Sequence, residues 1–484
     1  MIQESRIKRM SDLESPMSDL KSPMNDLKSP MSDSKSPPIA SGQYVIYWMQ
    51  ASMRIQYNHA LAAAIHYAND HKLPLIVCFV LADAYPEANL RHYTFMLEGI
   101  SEVRDTLQTM GIQFILLRGE PQSALKPVMN HNMAALFMDR GYTRIQRAWR
   151  QAVLDKAGQA PIYQIESDVV VPVEKTSIKQ EYAARTIRTK IHKLWDEFLV
   201  PLEIPCVMHN SLELKLPIVD HAQLTLSEWL DDLKIDISVL PSKRFKGGEQ
   251  EAQRLLKTFV EDKLPYYDLS NHPEFQYSSN LSAYLHFGQI SPVDIALTVR
   301  QARAGENGQA FLEELIVRRE LSMNFVYYNP DGYDQFEGMT YPWAYQTMAQ
   351  HEGDPRAYIY KRAEFEQSQT HDPYWNAANL EMVLTGEMHN YMRMYWCKKI
   401  VEWTRTYKEA YEIAIYLNNK YALDGRDPNS YTGIAWCFGQ HDRAWTERPI
   451  FGKLRYMNAA GLERKFDMDQ YVEGIKAINA NNEG

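Results

Sequence analysis

A chain of 484 residues is long enough for two domains, and 45% hydrophobic with 12% aromatic residues supplies large cores, which excludes a disordered or fibrous protein. A formal net charge of −9 excludes a surface basic all over, so a nucleic-acid partner would have to meet a local basic face. Cys78, Cys206, Cys397 and Cys437 form no Cys-x-x-Cys pair and read as reduced thiols of a cytoplasmic protein; no long uncharged apolar stretch suggests a membrane span, and no secretory signal is expected.

Residues 1–40 read as a disordered tail. A seven-residue unit beginning Met-Ser-Asp-Leu-Glu-Ser-Pro repeats through 10–37, and its recurrent proline breaks any helix that a heptad would otherwise suggest. Order is expected from near Gln43. Apolar runs at 44–48, 75–81, 114–117 and 134–138 lack polar alternation and are separated by segments of helical pattern. They predict an α/β domain over 41–200, a parallel sheet of Rossmann-like type covered on both faces. Ligands of such sheets sit beyond the carboxyl ends of the strands, here near 50–54, 83–86, 118–121 and 139–142. No glycine-rich phosphate loop occurs there, so a dinucleotide or nucleoside-triphosphate site of the usual fingerprint is unsupported. A basic helix is expected at 177–199, a linker over 201–248, and an all-α domain over 249–484, where Trp, Tyr and Met concentrate.

The run 386–403 packs aromatics and thioethers around Arg393 and reads as the helical wall of a cofactor site. A guanidinium there needs an anion, for which Asp424 is the best candidate; the alternative is an arginine that reaches the surface by its stem. Ser278, Ser279 and Ser282 stand at an expected helix start, where hydroxyls and free N–H groups suit phosphate oxygens or act only as caps. Glu314 and Arg318, four apart, are a site pair or an ordinary surface ion pair. Trp396 and Trp403 lie two helical turns apart and with Trp375 suit electron hopping or core packing. Tyr431, Trp436, His441, Arg443, Trp445 and Arg448 form a basic, aromatic region able to stack on bases and touch phosphates, or a solvated surface. No metal-ligand set is assigned.

Five segments, Glu-Glu-Leu-Ile-Val-Arg-Arg-Glu-Leu at 313–321, Thr-His-Asp-Pro-Tyr-Trp-Asn-Ala at 370–377, and those at 388–396, 423–429 and 448–458, together resemble the class II cyclobutane pyrimidine dimer photolyases of microbial, archaeal or bacterial, type. The resemblance spans nearly everything after the tail. It implies an antenna domain, a helical domain holding FAD, and light-driven splitting of fused pyrimidines by electron transfer from reduced anionic FAD to a dimer flipped out of double-stranded DNA. It also implies roles. Ser278, Ser279, Asn280, Leu281 and Ser282 would bind the diphosphate; Arg318, Arg393, Asn418, Asp424 and Gly425 would line the cofactor, with Asn418 near flavin N5. Glu314, Met394 and Trp436 would meet the dimer, and Trp396, Trp375 and Trp403 would carry electrons. A deazaflavin antenna in the first domain and a monomer acting at single lesions are expected.

Some positions depart from the family pattern. Ala51-Ser52-Met53 replaces an acidic or polar pair, Asn390 stands for a usual glycine, Glu387 for a usual lysine, and Gln440 lacks a charge that some members carry. The two charge changes are expected to weaken attraction to DNA. Readings from other classes are a cryptochrome-like photoreceptor, which would need no dimer contacts, and a non-enzymatic nucleic-acid-binding module.

Overall fold

The computed structural model describes residues 2–10, 42–83, 85–130, 132–231 and 233–483, so the heptad repeat beyond Met10 lies outside the described residues. Among these, six strands form one sheet in the order β1-β6-β5-β2-β3-β4: β1 (Ile7–Arg9), β2 (Tyr44–Met49), β3 (Leu75–Leu81), β4 (Gln113–Arg118), β5 (Met133–Asp139) and β6 (Ile162–Ile165). β2 to β6 are parallel, and β1 runs antiparallel to β6. Side chains alternate between two cores, as strand geometry requires. Val45, Tyr47 and Met49 meet helices His59–His71 and Leu90–Thr109, while Tyr44, Ile46 and Trp48 meet helices Lys126–Asn130 and Arg144–Leu154.

Two strands escape the sequence pattern. β6 is four residues long, and β1 is three residues of which two are basic. The expected onset of order near Gln43 is therefore corrected: residues 2–10 complete the sheet. Arg6 is 1% exposed, and its Nη1 donates to the carbonyls of Glu166 and Val169, both at 3.0 Å, and its Nη2 to that of Val170. Three carbonyl acceptors replace the water that a buried guanidinium loses. The segment 201–248 is a packed strap along the opposite edge. His221 N donates to the Leu116 carbonyl and Leu116 N to the Asp220 carboxylate, while Trp229 of helix Leu226–Asp231 is buried against the sheet's first core.

From Glu249 onward the described regular elements are helical. The expected run 386–403 is divided: Gly386 takes φ +86° and ends helix Pro373–Thr385, and the His389 ring caps helix Asn390–Glu402. The expected basic helix at 177–199 starts only at Ala184, because Asn324 holds the Glu181 amide and the Lys179 carbonyl in a separate turn. Gly288 joins the two halves. A Cβ there would stand 1.8 Å from the Ala51 carbonyl oxygen, so only glycine permits the approach. Ala51-Ser52-Met53 belongs to that joint: the amides of Gln50, Ala51 and Ser52 all donate to Asp139 Oδ2 at 2.8–2.9 Å, and Arg54 Nη1 reaches Asp168 at 2.7 Å and the Gly288 carbonyl at 2.9 Å.

Candidate functional site

Helices Asn390–Glu402 and Tyr407–Tyr421, with the turn that follows the second, bring Arg393 to Asp424. Nη1 and Nη2 reach the two carboxylate oxygens at 3.1 and 3.0 Å, with side chains 19% and 15% exposed, so the guanidinium pairs inside and does not extend to the surface. Burial alone would depress its pKa, but Asp424 holds it above the ordinary value. Asn418 Nδ2 donates to Ser430 Oγ at 2.6 Å and to Asn419 Oδ1 at 3.3 Å. Among the described residues of this site, Arg393 Nε and Asn418 Oδ1 are buried without a protein partner. Gly425 packs so tightly on the end of its helix that a Cβ would lie 2.8 Å from the Asn418 carbonyl oxygen.

The serine-rich segment supplies polar groups nearby. Ser278 Oγ donates to Asn280 Oδ1 at 2.7 Å, Asn280 takes φ +59°, Leu281 N donates to Ser279 Oγ at 3.4 Å, and the exposed Ser282 begins helix Ser282–His286. Leu281 contributes to the core, being 1% exposed. Lys263 Nζ donates to the Ser278 carbonyl at 3.1 Å, and Arg244 stands 3.4 Å from Glu387. Unpartnered polar atoms beside an ion pair, a serine turn and two further cations match the donor set of a flavin with its diphosphate, so these residues fit the FAD that the resemblance implies.

The expectation for Glu387 and Gln440 is corrected. Glu387 turns inward, 20% exposed and paired with Arg244 among Arg393, Asp424 and Lys263, and burial raises its pKa. Gln440 is 1% exposed, with Nε2 3.3 Å from the Tyr341 hydroxyl. Both side chains are engaged by partners inside the protein.

Glu314 sits in the π-helical turn Glu313–Arg318, a widened geometry common at functional sites. Its neighbour Glu313 is tied to Arg188 at 2.6 Å, which leaves Glu314 half-exposed, 3.8 Å from Arg318 Nε, with a pKa raised by partial burial. Arg318 is likewise half-exposed and stands with these acids, not with the Arg393 pair. Met394 and Trp436, both half-buried, come together where their helices cross: Cys437 Sγ lies 3.9 Å from the Met394 carbonyl oxygen, and the buried Lys398 donates to the Cys437 carbonyl at 2.6 Å. Lys398 Nζ and Arg455 Cζ stand 5.7 and 4.9 Å from the Trp436 ring centroid, positions of cation–π attraction.

The three tryptophans are contiguous. Trp375 stacks on Trp396 at 6.3 Å and 9° and meets Trp403 edge-on at 6.2 Å, all three being at most 3% exposed. Nε1 of Trp375 donates to the Trp396 carbonyl at 2.9 Å, and Nε1 of Trp396 to Asn379 Oδ1 at 3.0 Å, which fixes both rings. Trp375 enters from the neighbouring helix between two rings whose spacing alone would leave a gap.

In the loop 439–449, Arg443 and Arg448 are exposed and Trp445 is half-exposed. Tyr431 and His441 correct the expectation of a DNA-facing set. Tyr431 turns inward, edge-to-face with Tyr333 at 5.0 Å. His441 Nδ1 lies 2.7 Å from the Tyr182 carbonyl oxygen, and burial pushes its pKa down to about 4, so it carries no charge for a phosphate at neutral pH. Residues not singled out by sequence hold the loop. Asp442 accepts from Arg455 at 3.0 and 3.2 Å, and Arg455 lies between Trp436 and Trp445, 4.2 Å from the latter. Arg455 lies within the family-resembling segment 448–458, whereas Lys398, a lysine inside an apolar helix, resembles any surface charge.

A cavity opens at the carboxyl ends of β2 and β3, against the helical half. Its walls include Trp48, Phe79, Tyr93, Met96 and Trp149, with Gln50, Gln146, His286 and Arg426 as polar groups. It lies where a parallel sheet offers ligand space. No helix among the described residues is long and apolar enough to cross a membrane.

Residues 45–207 match the DNA photolyase family model. The chain is similar to the deoxyribodipyrimidine photo-lyase of Methanothermobacter thermautotrophicus, 48% identical over 445 residues that cover 91% of this chain and 96% of that one. It is 40% identical to the deoxyribodipyrimidine photo-lyase of Potorous tridactylus, with 90% and 81% covered. In fold it is similar to a cryptochrome from Synechocystis sp. PCC6803, with TM-score 0.72, 15% identity, and 91% and 89% of the two chains covered. With such identity maintained over nine-tenths of its length, the chain belongs to the DNA photolyase family.

Proposed function

We propose that this protein is a class II cyclobutane pyrimidine dimer photolyase, which takes a fused pyrimidine pair out of double-stranded DNA and splits it under blue light. The observation that carries the reading is the Arg393–Asp424 pair beside the unpartnered Asn418 Oδ1, within a chain 48% identical to a deoxyribodipyrimidine photo-lyase. When bound, reduced FAD supplies the electron that light sends to the dimer and that returns after bond cleavage.

The chain's own work is to bind, orient and exclude water. With FAD bound, Ser278, Ser279, Asn280 and the amides near Leu281 and Ser282 would hold the diphosphate, Arg393, Asp424 and Gly425 would hold the ring edge, and Asn418 would offer its amide to the flavin. Glu314 offers its carboxyl group to a dimer carbonyl, its pKa raised by partial burial. Met394 and Trp436 pack on the extruded bases, with Lys398 and Arg455 fixing the indole. Arg443, Trp445 and Arg448 meet the duplex, the cations touching phosphates and the indole stacking. Trp396, Trp375 and Trp403 form the path for electrons from the surface. The cleft at the strand ends takes a deazaflavin antenna, and the protein works as a monomer in the cytoplasm, associated with the nucleoid when on DNA.

The test is recovery of intact thymines from a thymine-dimer oligonucleotide by the reduced protein, with and without blue light. Light-dependent recovery supports repair, with Glu314→Ala and Trp436→Ala as diminished variants. A reduced, flavin-loaded protein that recovers none would favour the cryptochrome-like alternative, whose fold this chain shares.

A further inference from the structure

The basic segment that follows the sheet is left unused by the function above. Residues 175–193 carry six lysines and arginines against one acid, Glu181, in a chain whose net charge is −9. Glu181 is buried and pairs with Lys190, and Arg188 is bound to Glu313 at 2.6 Å. Lys175, Lys179, Arg185 and Lys193 are exposed, and among the described residues no carboxylate lies within ion-pair distance of them.

Their position gives these cations a use. The turn 177–183 is tied to the loop 439–449 through Tyr182. Its carbonyl accepts from the Tyr341 hydroxyl at 2.8 Å and lies 2.7 Å from His441 Nδ1, its hydroxyl donates to the Asp442 carbonyl at 3.3 Å, and its ring stacks on that of Tyr341 at 4.4 Å and 17°. On the other side, helix Ala184–Phe198 is joined to the turn Glu313–Arg318 by the Arg188–Glu313 pair, next to Glu314. The segment therefore touches both the loop that carries Arg443 and Arg448 and the turn that carries Glu314. It is held in place: Asn324 accepts from the Glu181 amide at 2.7 Å and donates to the Lys179 carbonyl at 3.0 Å, with Ile178 between them in sequence and space left 83% exposed.

We propose that the first-domain turn 177–183 and the start of helix Ala184–Phe198 form a second bank of the duplex-binding face, on which Lys179 and Arg185 contact phosphates. The inference rests on the reading of loop 439–449 as a DNA contact. Charge alone suits any polyanion; continuity with that loop and with the Glu314 turn is what commits this face to the duplex. A duplex carries a phosphate charge about every 1.7 Å of its axis, so cations on both sides of the opening can hold the backbone while a pair is out of the stack. His441, neutral and turned inward, serves the same face by tethering Tyr182.

The experiment titrates the flavin-loaded full chain against dimer-containing and undamaged duplexes by anisotropy at several salt concentrations. The double variant Lys179→Ala with Arg185→Ala is expected to reduce the slope of log affinity against log salt by about two and to weaken both duplexes by the same factor, because phosphate contacts carry no base information. Ile178→Asp, which sets an anion among the cations at an exposed position, should weaken both on the order of fivefold at low salt. Lys156→Ala is the control: this exposed lysine precedes β6, whereas the turn follows it, so the two lie toward opposite ends of that strand, and the parent slope is expected. Parent slope and affinity in both the double variant and Ile178→Asp would overturn the proposal. So would an equal loss per charge in Lys156→Ala, which would show that overall charge and not this face is felt. A parent chain that binds neither duplex would overturn the function proposed above, and this face with it.

Discussion

The two candidate sites of this molecule are walled by different kinds of atoms. The one in the helical half is built on fixed polar geometry: the bidentate Arg393–Asp424 pair, the Asn418 amide held from two sides, and a serine turn. The one at the strand ends is mostly aromatic and thioether surface, with few polar groups converging. Apolar walls reward any flat molecule of suitable size, whereas buried polar atoms penalise every ligand that leaves them unpaired. Polar atoms in fixed geometry thus discriminate among ligands more sharply than the apolar walls of the strand-end cavity do.

Breaking the polar wall gives the largest expected effect. Arg393→Leu leaves the Asp424 carboxylate buried and unpaired, which should cost about 3–5 kcal/mol in chemical denaturation together with loss of flavin per purified chain. Retained flavin and parent stability would remove the contrast between the sites. Trp436→Ala should weaken binding of dimer-containing DNA by about 1–3 kcal/mol in anisotropy titrations, while affinity for undamaged duplex changes little. Equal losses on both DNAs would place Trp436 outside the extruded-base pocket.

His441 sharpens the comparison through pH. Its pKa in the folded protein, about 4, lies below the ordinary value of 6.5, so the folded state binds fewer protons between these values. The stability it contributes is present above about pH 6.5 and is lost as pH falls toward 4, on the order of 1–3 kcal/mol. Urea midpoints measured along that interval should fall less for His441→Asn than for the parent. The smallest effect belongs to the apolar cleft. Met96→Leu conserves volume and should cost less than about 1.5 kcal/mol in denaturation, leaving repair driven by light absorbed directly by the flavin unchanged. A marked drop in that repair would mean the cleft also shapes the flavin site.

Much of this was legible in sequence where a physical rule is local. Strands β2, β3 and β5, buried along their whole length, read as unbroken apolar runs, and the lone guanidinium in an apolar segment required an anion that Asp424 supplies. What escaped depends on tertiary placement. β1 is two-thirds basic, and no pattern in three residues shows that Arg6 finds three carbonyls. Helical spacing put Trp396 and Trp403 on one face, but only the packing of the preceding helix inserts Trp375 between them. Charge and type alone suggested that His441, Tyr431, Glu387 and Gln440 concern DNA, yet each turns to an internal partner, because sequence does not reveal which way a side chain in a loop or at a helix end points.

The borders of the sheet carry a last consequence. One side ends in a three-residue strand with charged side chains, the other under the strap whose Asp220 and His221 occupy the amide and carbonyl of Leu116. Among the described residues, neither rim offers a long, bare row of backbone groups on which a foreign strand could template. For an enzyme that must wait through darkness before each turnover, this is a safeguard of shelf life: the parallel sheet can persist among crowded neighbours without seeding polymers.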